Sequence, residues 1–436
     1  MDIARAGDRA VLVQLDPAIS AAELHAAGGR VRALPDVLAS IVGHSSLYVI
    51  CSRVPDVQRV RDAVSERVDR LTVSGYRLSV EVSFRDEYAP NLREFLRHAR
   101  ITRDEFLTRL RDLRLVVRYV GFRGGFAYLD GWPAEWAMPR RPTSRAVARG
   151  SFAIAGSVAG FYPLDSPGGW NILGRTAEPL ENRVSPGDEI AIVPVETALP
   201  PVEKLPRNAE PPPGISAPFI TRVRAADWSN IDRGVSPGGP FDAEAAEVAN
   251  VAVGNGAGAE LFEFAQIAPR ISLDGVVAWS DARDLRVYHL NTARPLEIGR
   301  IRNGYRGYLA VGSATNLPAP IRGARPQELR VIRAMHGPHA LGIDELECEV
   351  TPALDRVGIR MRPLRPIRFT PPADMPSCGM QFGTLQLHID GSIVAMGPDH
   401  PVTGGYLQPM TVLWSERWKL AHLAPGERVR FVAQSP

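Results

Sequence analysis

Two periods of apolar residues alternate along the chain. In VLVQL (residues 11–15), SLYVICS (46–52) and LSVEVSF (78–84), β-branched and apolar residues cluster or alternate, which predicts strands. PDVQRVRDAVSERVDRL (55–71) instead spaces its apolar residues as a helix does. Residues 1–82 therefore read as a small α+β domain. NLREFLRHARITRDEFLTRLRDL (91–113) predicts two short amphipathic helices, the second opened by Thr102 with Asp104 and Glu105 in its first turn, where the helix dipole favours acids. From residue 115 to 195 the period shortens to strands separated by Gly and Pro turns, as in a compact barrel or sandwich.

Residues 197–218 (TALPPVEKLPRNAEPPPGISAP) carry proline with no hydrophobic period and predict an extended connector between a barrel at 83–196 and a second half at 219–436. That half has one clear helix, FDAEAAEVANVAVG (241–254), opened by Asp242, whose carboxylate suits the free N–H groups of a first turn. Strands surround it: GVVAWSD, LRVYHL, GYLAVG, GTLQLHI, SIVAMG, TVLWS and RVRFVA. A Pro-Gly-acid phrase precedes the last strand of each half, Ser-Pro-Gly-Asp at 185–188 and Ala-Pro-Gly-Glu at 424–427, which hints at related barrels. The predicted class is mainly β, with a small α+β N-terminal domain and several barrels.

Composition narrows the function classes. A length of 436 residues implies several cores, and 45% hydrophobic with 23% charged residues indicates a folded chain rather than a disordered one. A net charge of +3 with scattered arginines gives no nucleic-acid footprint. Cys51, Cys348 and Cys378 form no ligand-spaced pair, so neither a structural zinc nor any other metal site is expected, and a reducing compartment is. The opening residues lack an apolar leader and no run approaches the ~20 apolar residues of a membrane span, so a cytoplasmic protein without a membrane partner is expected.

The phrases GFRGGFAYLDGW (121–132), PRRPTSR (139–145), GSFAIAG (150–156) and GFYPLDSPGGWNILGRT (160–176) resemble the B-type subunit of the ATP-dependent 5-oxoprolinase, also known as allophanate hydrolase subunit 1. GVSPGGPFD (234–242), ANVAVGN (249–255), DRVGIRM (355–361), GTLQLHIDG (383–391) and PDHPVTGGY (398–406) resemble the C-type subunit, also known as allophanate hydrolase subunit 2. The resemblance implies a natural B/C fusion built of cyclophilin-like β-barrels, one in the first half and two in tandem in the second. It also implies a small amide, lactam or urea-type substrate, ATP as co-substrate without a covalently bound cofactor, and a separate A-type subunit. Assembly into a homo-oligomer is left open. The family also contains carboxyltransferase parts of biotin-dependent urea carboxylase and a histidine-kinase inhibitor, so carboxyl transfer and a regulatory binding role stand as alternatives. No biotin-bearing Ala-Met-Lys-Met motif and no P-loop occurs here.

Candidate site residues follow from these loops. Gly124 and Gly125 allow positive φ and exposed N–H groups, as an anion nest or a plain barrel turn requires. Arg123 stands where the family usually has Pro, and Arg140 and Arg145 offer planar forks for a carboxylate or phosphate, with Tyr128 beside them. Asp399 and His400 are expected to move protons, with Thr403, Gly404, Gly405 and Tyr406 supplying donors to a developing oxyanion or contacts to substrate. Both Asp399 and His400 serve one site only if the backbone turns between them. His388, in Leu387-His388, departs from the family's Val-Pro, one of several changes expected to alter substrate choice.

Overall fold

A computed structural model describes residues 1–66, 75–122, 124–141, 143, 145–181, 183–200, 213–312, 328–370 and 375–434. Most of the expected proline connector, residues 201–212, lies outside the described residues.

The N-terminal unit is a four-stranded antiparallel sheet of order β1-β2-β4-β3: β1 Asp2–Arg5, β2 Ala10–Gln14, β3 Val37–Val42 and β4 Ser46–Cys51. One face packs under helices α1 (Ala21–Arg32) and α2 (Val57–Ser65) through Val11, Val13, Leu24, Val31, Val49 and Val60. The predicted helix near residue 57 is therefore present, but α1 was not foreseen because Gly28 and Gly29 interrupt its pattern. Its start was legible: Ser20 accepts from the Glu23 N–H while Glu23 reaches back to the Ser20 N–H, a reciprocal cap.

Strand β5 (Arg77–Ser83), counted above with the first 82 residues, belongs instead to the barrel that follows. It pairs in parallel along its whole length with β13 (Glu189–Val195), and this register holds it there. The seven-stranded closed barrel also contains β6 (Leu115–Gly121), β7 (Phe126–Asp130), β9 (Ser151–Ala155), β10 (Val158–Phe161) and β12 (Asn171–Arg175), in the order β10-β7-β6-β13-β5-β12-β9. Helices α3 (Leu92–Ala99) and α4 (Arg103–Asp112) close one side, with Thr102 capping α4 as expected. Phe84, Phe95, Phe106, Trp132, Trp136 and Phe152 fill the core with edge-to-face contacts. A short two-stranded arm, β8 (Arg145–Val147) against β11 (Ser166–Gly168), projects from this barrel.

In the second half, β14 (Ile215–Ser216), β17 (Arg270–Ile271) and β20 (Leu296–Glu297) form a three-stranded sheet. Strands β15 (Ile220–Val223), β16 (Leu261–Ala265), β18 (Gly275–Ser280), β19 (Leu285–Leu290) and β21 (Arg306–Gly312) form a five-stranded sheet of order β15-β16-β21-β18-β19. Helix α5 (Ala243–Ala252) packs on it, capped by Asp242 Oδ1 accepting from the Ala245 N–H at 3.0 Å. Two barrels were expected in this half; among the described residues these two sheets do not close, and only the following unit does.

That second closed barrel is built of β22 (Val331–His336), β23 (Glu345–Leu354), β24 (Gly358–Pro363), β26 (Thr384–Leu387), β27 (Ile393–Met396), β29 (Leu407–Val412) and β30 (Arg428–Ala433). Its order, β22-β29-β26-β27-β24-β23-β30, repeats that of the first barrel strand for strand. Each closes with a parallel pair of its first and last strands, β5 with β13 and β22 with β30. The echoed turns also share geometry: Asp188 accepts from the Ser185 N–H and Glu427 from the Ala424 N–H, both at 2.7 Å. The second barrel has its own arm, β25 (Cys378–Gly379) against β28 (Thr403–Gly404), in the same place in the strand order as β8 and β11.

Candidate active cleft between the two barrel arms

The free face of the N-terminal sheet covers Cys378, Val402 and Ile231 of the second half with Ala6, Leu12, Ile41, Tyr48 and Ile50. Backbone bonds seal this joint: His44 N–H donates to Ser377 O at 2.9 Å, and Val402 N–H to Phe122 O at 2.9 Å. The burial brings the arms of the two barrels face to face. Between them lies a small cleft of about 70 Å³.

Strand alternation supplies the first wall. Phe126 and Tyr128 are two apart on β7 and so share a face, and Tyr128 stacks on Tyr119 of β6 at 4.2 Å between centroids. Trp170 meets Phe126 edge-on at 5.1 Å and Tyr128 at 5.7 Å, and Tyr162 meets Phe126 edge-on at 5.1 Å. Gly168 is the residue that lets Tyr162 in, because a Cβ there would overlap the phenol. The second half contributes Ser377, Gly404, Gly405 and Tyr406. The Tyr406 ring is sandwiched, stacked on His388 at 4.3 Å and covered by the Arg140 guanidinium at 5.4 Å.

Charge is sparse in this cleft. Arg140 has no acidic partner among the described residues, whereas Arg141 pairs with Glu94 at 3.0 Å and Arg145 donates to Asn91 away from the cleft. Of the arginines in the PRRPTSR phrase, Arg140 alone lines the space. Burial pushes the Tyr128 and Tyr162 phenols above their ordinary range, so both stay protonated and able to donate at neutral pH. Burial, then the Arg360 charge, lowers His388 to about 4, leaving a neutral imidazole whose buried Nε2 has no partner among the described residues.

The remaining expected residues are dispersed. Arg123 lies outside the described residues. Gly124 and Gly125 have φ of 44° and 93°, but the Gly124 N–H donates to Gly234 O at 2.9 Å and the Phe122 N–H to Thr403 Oγ1 at 2.6 Å. These two N–H groups of the glycine turn thus fasten the halves and are spent as anion donors, and Thr403 is fully buried in that joint. Asp399 is held by Arg356 through two bonds of 2.7 and 2.8 Å, and Arg356 also reaches buried Glu263 at 2.8 Å. His400 points to a different cavity, its Nδ1–H bonding Pro401 O at 2.8 Å. The chain does turn at Pro398 and Asp399, where the His400 N–H donates to Gly397 O at 3.3 Å, but Asp399 faces Arg356, His400 the other cavity and Thr403 the joint, so the three are not gathered at one site. Cys378 is also buried, its thiol pushed up to about 12 by desolvation. Sequence reasoning overlooked Phe122, Phe126, Tyr162 and Ser377; the alternation in GFAYL was the available signal for Phe126 beside Tyr128.

Comparison with known proteins assigns both halves. Residues 1–186 match the family model "Carboxyltransferase domain, subdomain C and D", and residues 233–341 and 319–433 match "Carboxyltransferase domain, subdomain A and B". The chain belongs to the carboxyltransferase-domain family, with its C/D and A/B parts fused in one polypeptide. It is 28% identical over 195 residues to the B subunit of 5-oxoprolinase from Haemophilus influenzae, spanning 43% of this chain and 92% of that protein. It is 28% identical over 207 residues to the corresponding protein of Escherichia coli O157:H7, spanning 43% of this chain and 93% of the relative. The crystal structure of TTHA0988 superposes with a TM-score of 0.79 at 23% identity, covering 98% of this chain and 100% of that one, and shares the fold. Among the described residues no helix is long and apolar enough to cross a membrane.

Proposed function

We propose that this chain is the fused B/C component of a 5-oxoprolinase-like enzyme and takes a small carboxylate-bearing lactam, amide or urea-type molecule into the cleft between the barrel arms. The observation that carries the reading is Arg140, free of acidic partners among the described residues and set against Tyr406 at the mouth of an aromatic cleft. Its guanidinium fork matches a planar carboxylate. The walls formed by Phe126, Trp170 and Tyr406 suit a flat amide or lactam ring. Tyr128, Tyr162 and Ser377 are the hydroxyl donors for the amide oxygen, and Gly404 and Gly405 keep the backbone close to the ligand.

A nucleoside triphosphate does not fit a space this small with a single unpaired guanidinium. ATP chemistry is therefore assigned to a separate A-type subunit, and no step on this chain is routed through the nucleotide. The likeness to the B-type relatives supports such a partner.

The purified chain should form glutamate and release phosphate from 5-oxoproline and ATP only when an A-type subunit is added. Absence of turnover with the partner, in folded protein, would overturn this reaction. Arg140→Ala should raise KM for 5-oxoproline at least ~10-fold, the loss of roughly one charge-assisted hydrogen-bond pair.

A further inference from the structure

A larger cavity, about 470 Å³, opens between the five-stranded-sheet unit and the second barrel, away from the cleft described above. Its size lies within the range of small-molecule sites. The walls are predominantly apolar: Trp228, Phe241, Phe382, Trp414 and Trp418 surround it, with Pro237, Pro240 and Pro398. Arg417 stands among them. It is 5% exposed, lies 4.0 Å above the Trp414 ring and 5.5 Å from Phe382, and donates from Nη2 to Gln381 Oε1 at 2.7 Å.

Among the described residues no acid lies within ion-pair distance of Arg417, although the Asp8 charge acts on it from farther off, and its Nε is buried with no hydrogen-bond partner. This sets it apart from the other buried cations. Arg306 and Arg356 share Glu263, Lys419 holds Glu416 at 2.7 Å, and Arg118 holds Asp130 at 2.8 Å. A buried guanidinium with no anion in direct contact is costly, and an anion that reaches it offsets that cost. His400 adds a second polar group. Because its Nδ1–H is committed to Pro401 O, the neutral ring leaves Nε2 as an acceptor with no protein partner among the described residues. Desolvation favours that neutral form, lowering His400 to about 4.

The other charged groups limit the ligand. Asp242 is occupied by His422 at 3.0 Å, and Arg224, Glu244 and Glu247 are the remaining charged lining residues. Glu247 is exposed, and two glutamates near the opening disfavour a second negative charge on a ligand.

We propose that this cavity is a second small-molecule site, which binds a monoanionic carboxylate with a flat apolar body, its carboxylate on Arg417 and its ring among the tryptophans. Neither the amide cleft nor Arg140 takes part in it.

Isothermal titration calorimetry of the full chain with phenylacetate, and with neutral phenylacetamide as its isostere, tests the assignment. Phenylacetate should bind at least 10-fold more tightly than phenylacetamide. Arg417→Met should erase that preference, Arg417→Lys should restore part of it, and Arg140→Met should leave it unchanged. Ala257→Trp, at an exposed position on the rim, should block binding and serves as the check if Arg417→Met fails to fold. Equal affinity for acid and amide, or phenylacetate binding that survives both Arg417→Met and Ala257→Trp, would overturn the proposal.

Discussion

Asp399 shows how a residue chosen for its chemistry can be spent on architecture. Its carboxylate and Glu263 share Arg356, which also donates to Gly239 O at 2.6 Å, and Glu263 further accepts from the Phe241 N–H and the Tyr308 hydroxyl. Arg356→Met would leave Glu263 buried with one fewer cation. The expected cost is about 3–5 kcal/mol in urea-unfolding free energy, the usual penalty for breaking a buried ion network from one side. Asp399→Asn, on the half-exposed end, should cost about 1 kcal/mol or less. His400 gives a pH signature. Its folded pKa, about 4, lies below the ordinary histidine value, so its contribution to stability is fully present above about pH 6.5 and is lost as pH falls toward 4. The slope contributed by one such group is about 1.4 kcal/mol per pH unit inside that window. Urea titrations at pH 7 and pH 5 should show a smaller loss in His400→Gln than in the parent. Arg140, Tyr128 and Tyr406, each singled out in segments that resemble a known family, come together at one cleft. Asp399 was misleading because composition reveals a charge but not the arginine waiting for it 43 positions away.

At the scale of elements, the strands and most helices were legible because their signals are local: Thr102 and Asp242 cap helices where their side chains predict it. Closure was less so. The placement of β5 in the barrel depends on a parallel partner, β13, that is more than a hundred residues distant, and no period within LSVEVSF announces it. The echoed Pro-Gly-acid turns were the one readable trace of the repeated strand order, since each caps the strand that closes a barrel. The turn after β6 is likewise set by what it meets. Gly121 lies against Thr403, and Gly234, at φ 74°, lies over the Gly121 carbonyl, so a side chain at either position has no room. Gly121→Ala is expected to displace Thr403 Oγ1 from the Phe122 N–H and to destabilise the chain by about 1–3 kcal/mol, the range for overpacking. Hydrogen exchange at the Phe122 and Val402 amides should accelerate before exchange in the barrel strands does.

For the whole molecule, the fusion matters because the cleft has walls from both halves. Phe126, Tyr128, Tyr162 and Trp170 come from one, and Ser377, Gly404, Gly405 and Tyr406 from the other. The N-terminal sheet is the clamp, covering Cys378, Val402 and Ile231, while Gln381 Nε2 donates to Ala6 O at 2.9 Å and the Trp414 N–H to Asp8 at 3.1 Å. Those apolar residues would face water if the second half were alone, so its solubility is tied to the first. Covalent linkage supplies an effective concentration on the order of millimolar, which removes a bimolecular step from assembly of the cleft. Co-expressed fragments 1–200 and 213–436 should therefore co-purify as a one-to-one complex, and fragment 213–436 expressed alone should aggregate. If the cleft is the working site, turnover by the split pair with an A-type subunit should fall on dilution as the fragments separate, while turnover per molecule of the intact chain, with that partner kept saturating, should not. Equal dilution behaviour, with the fragments shown by sedimentation to have separated, would mean that one half is sufficient and that the walls supplied by the other are dispensable to the chemistry.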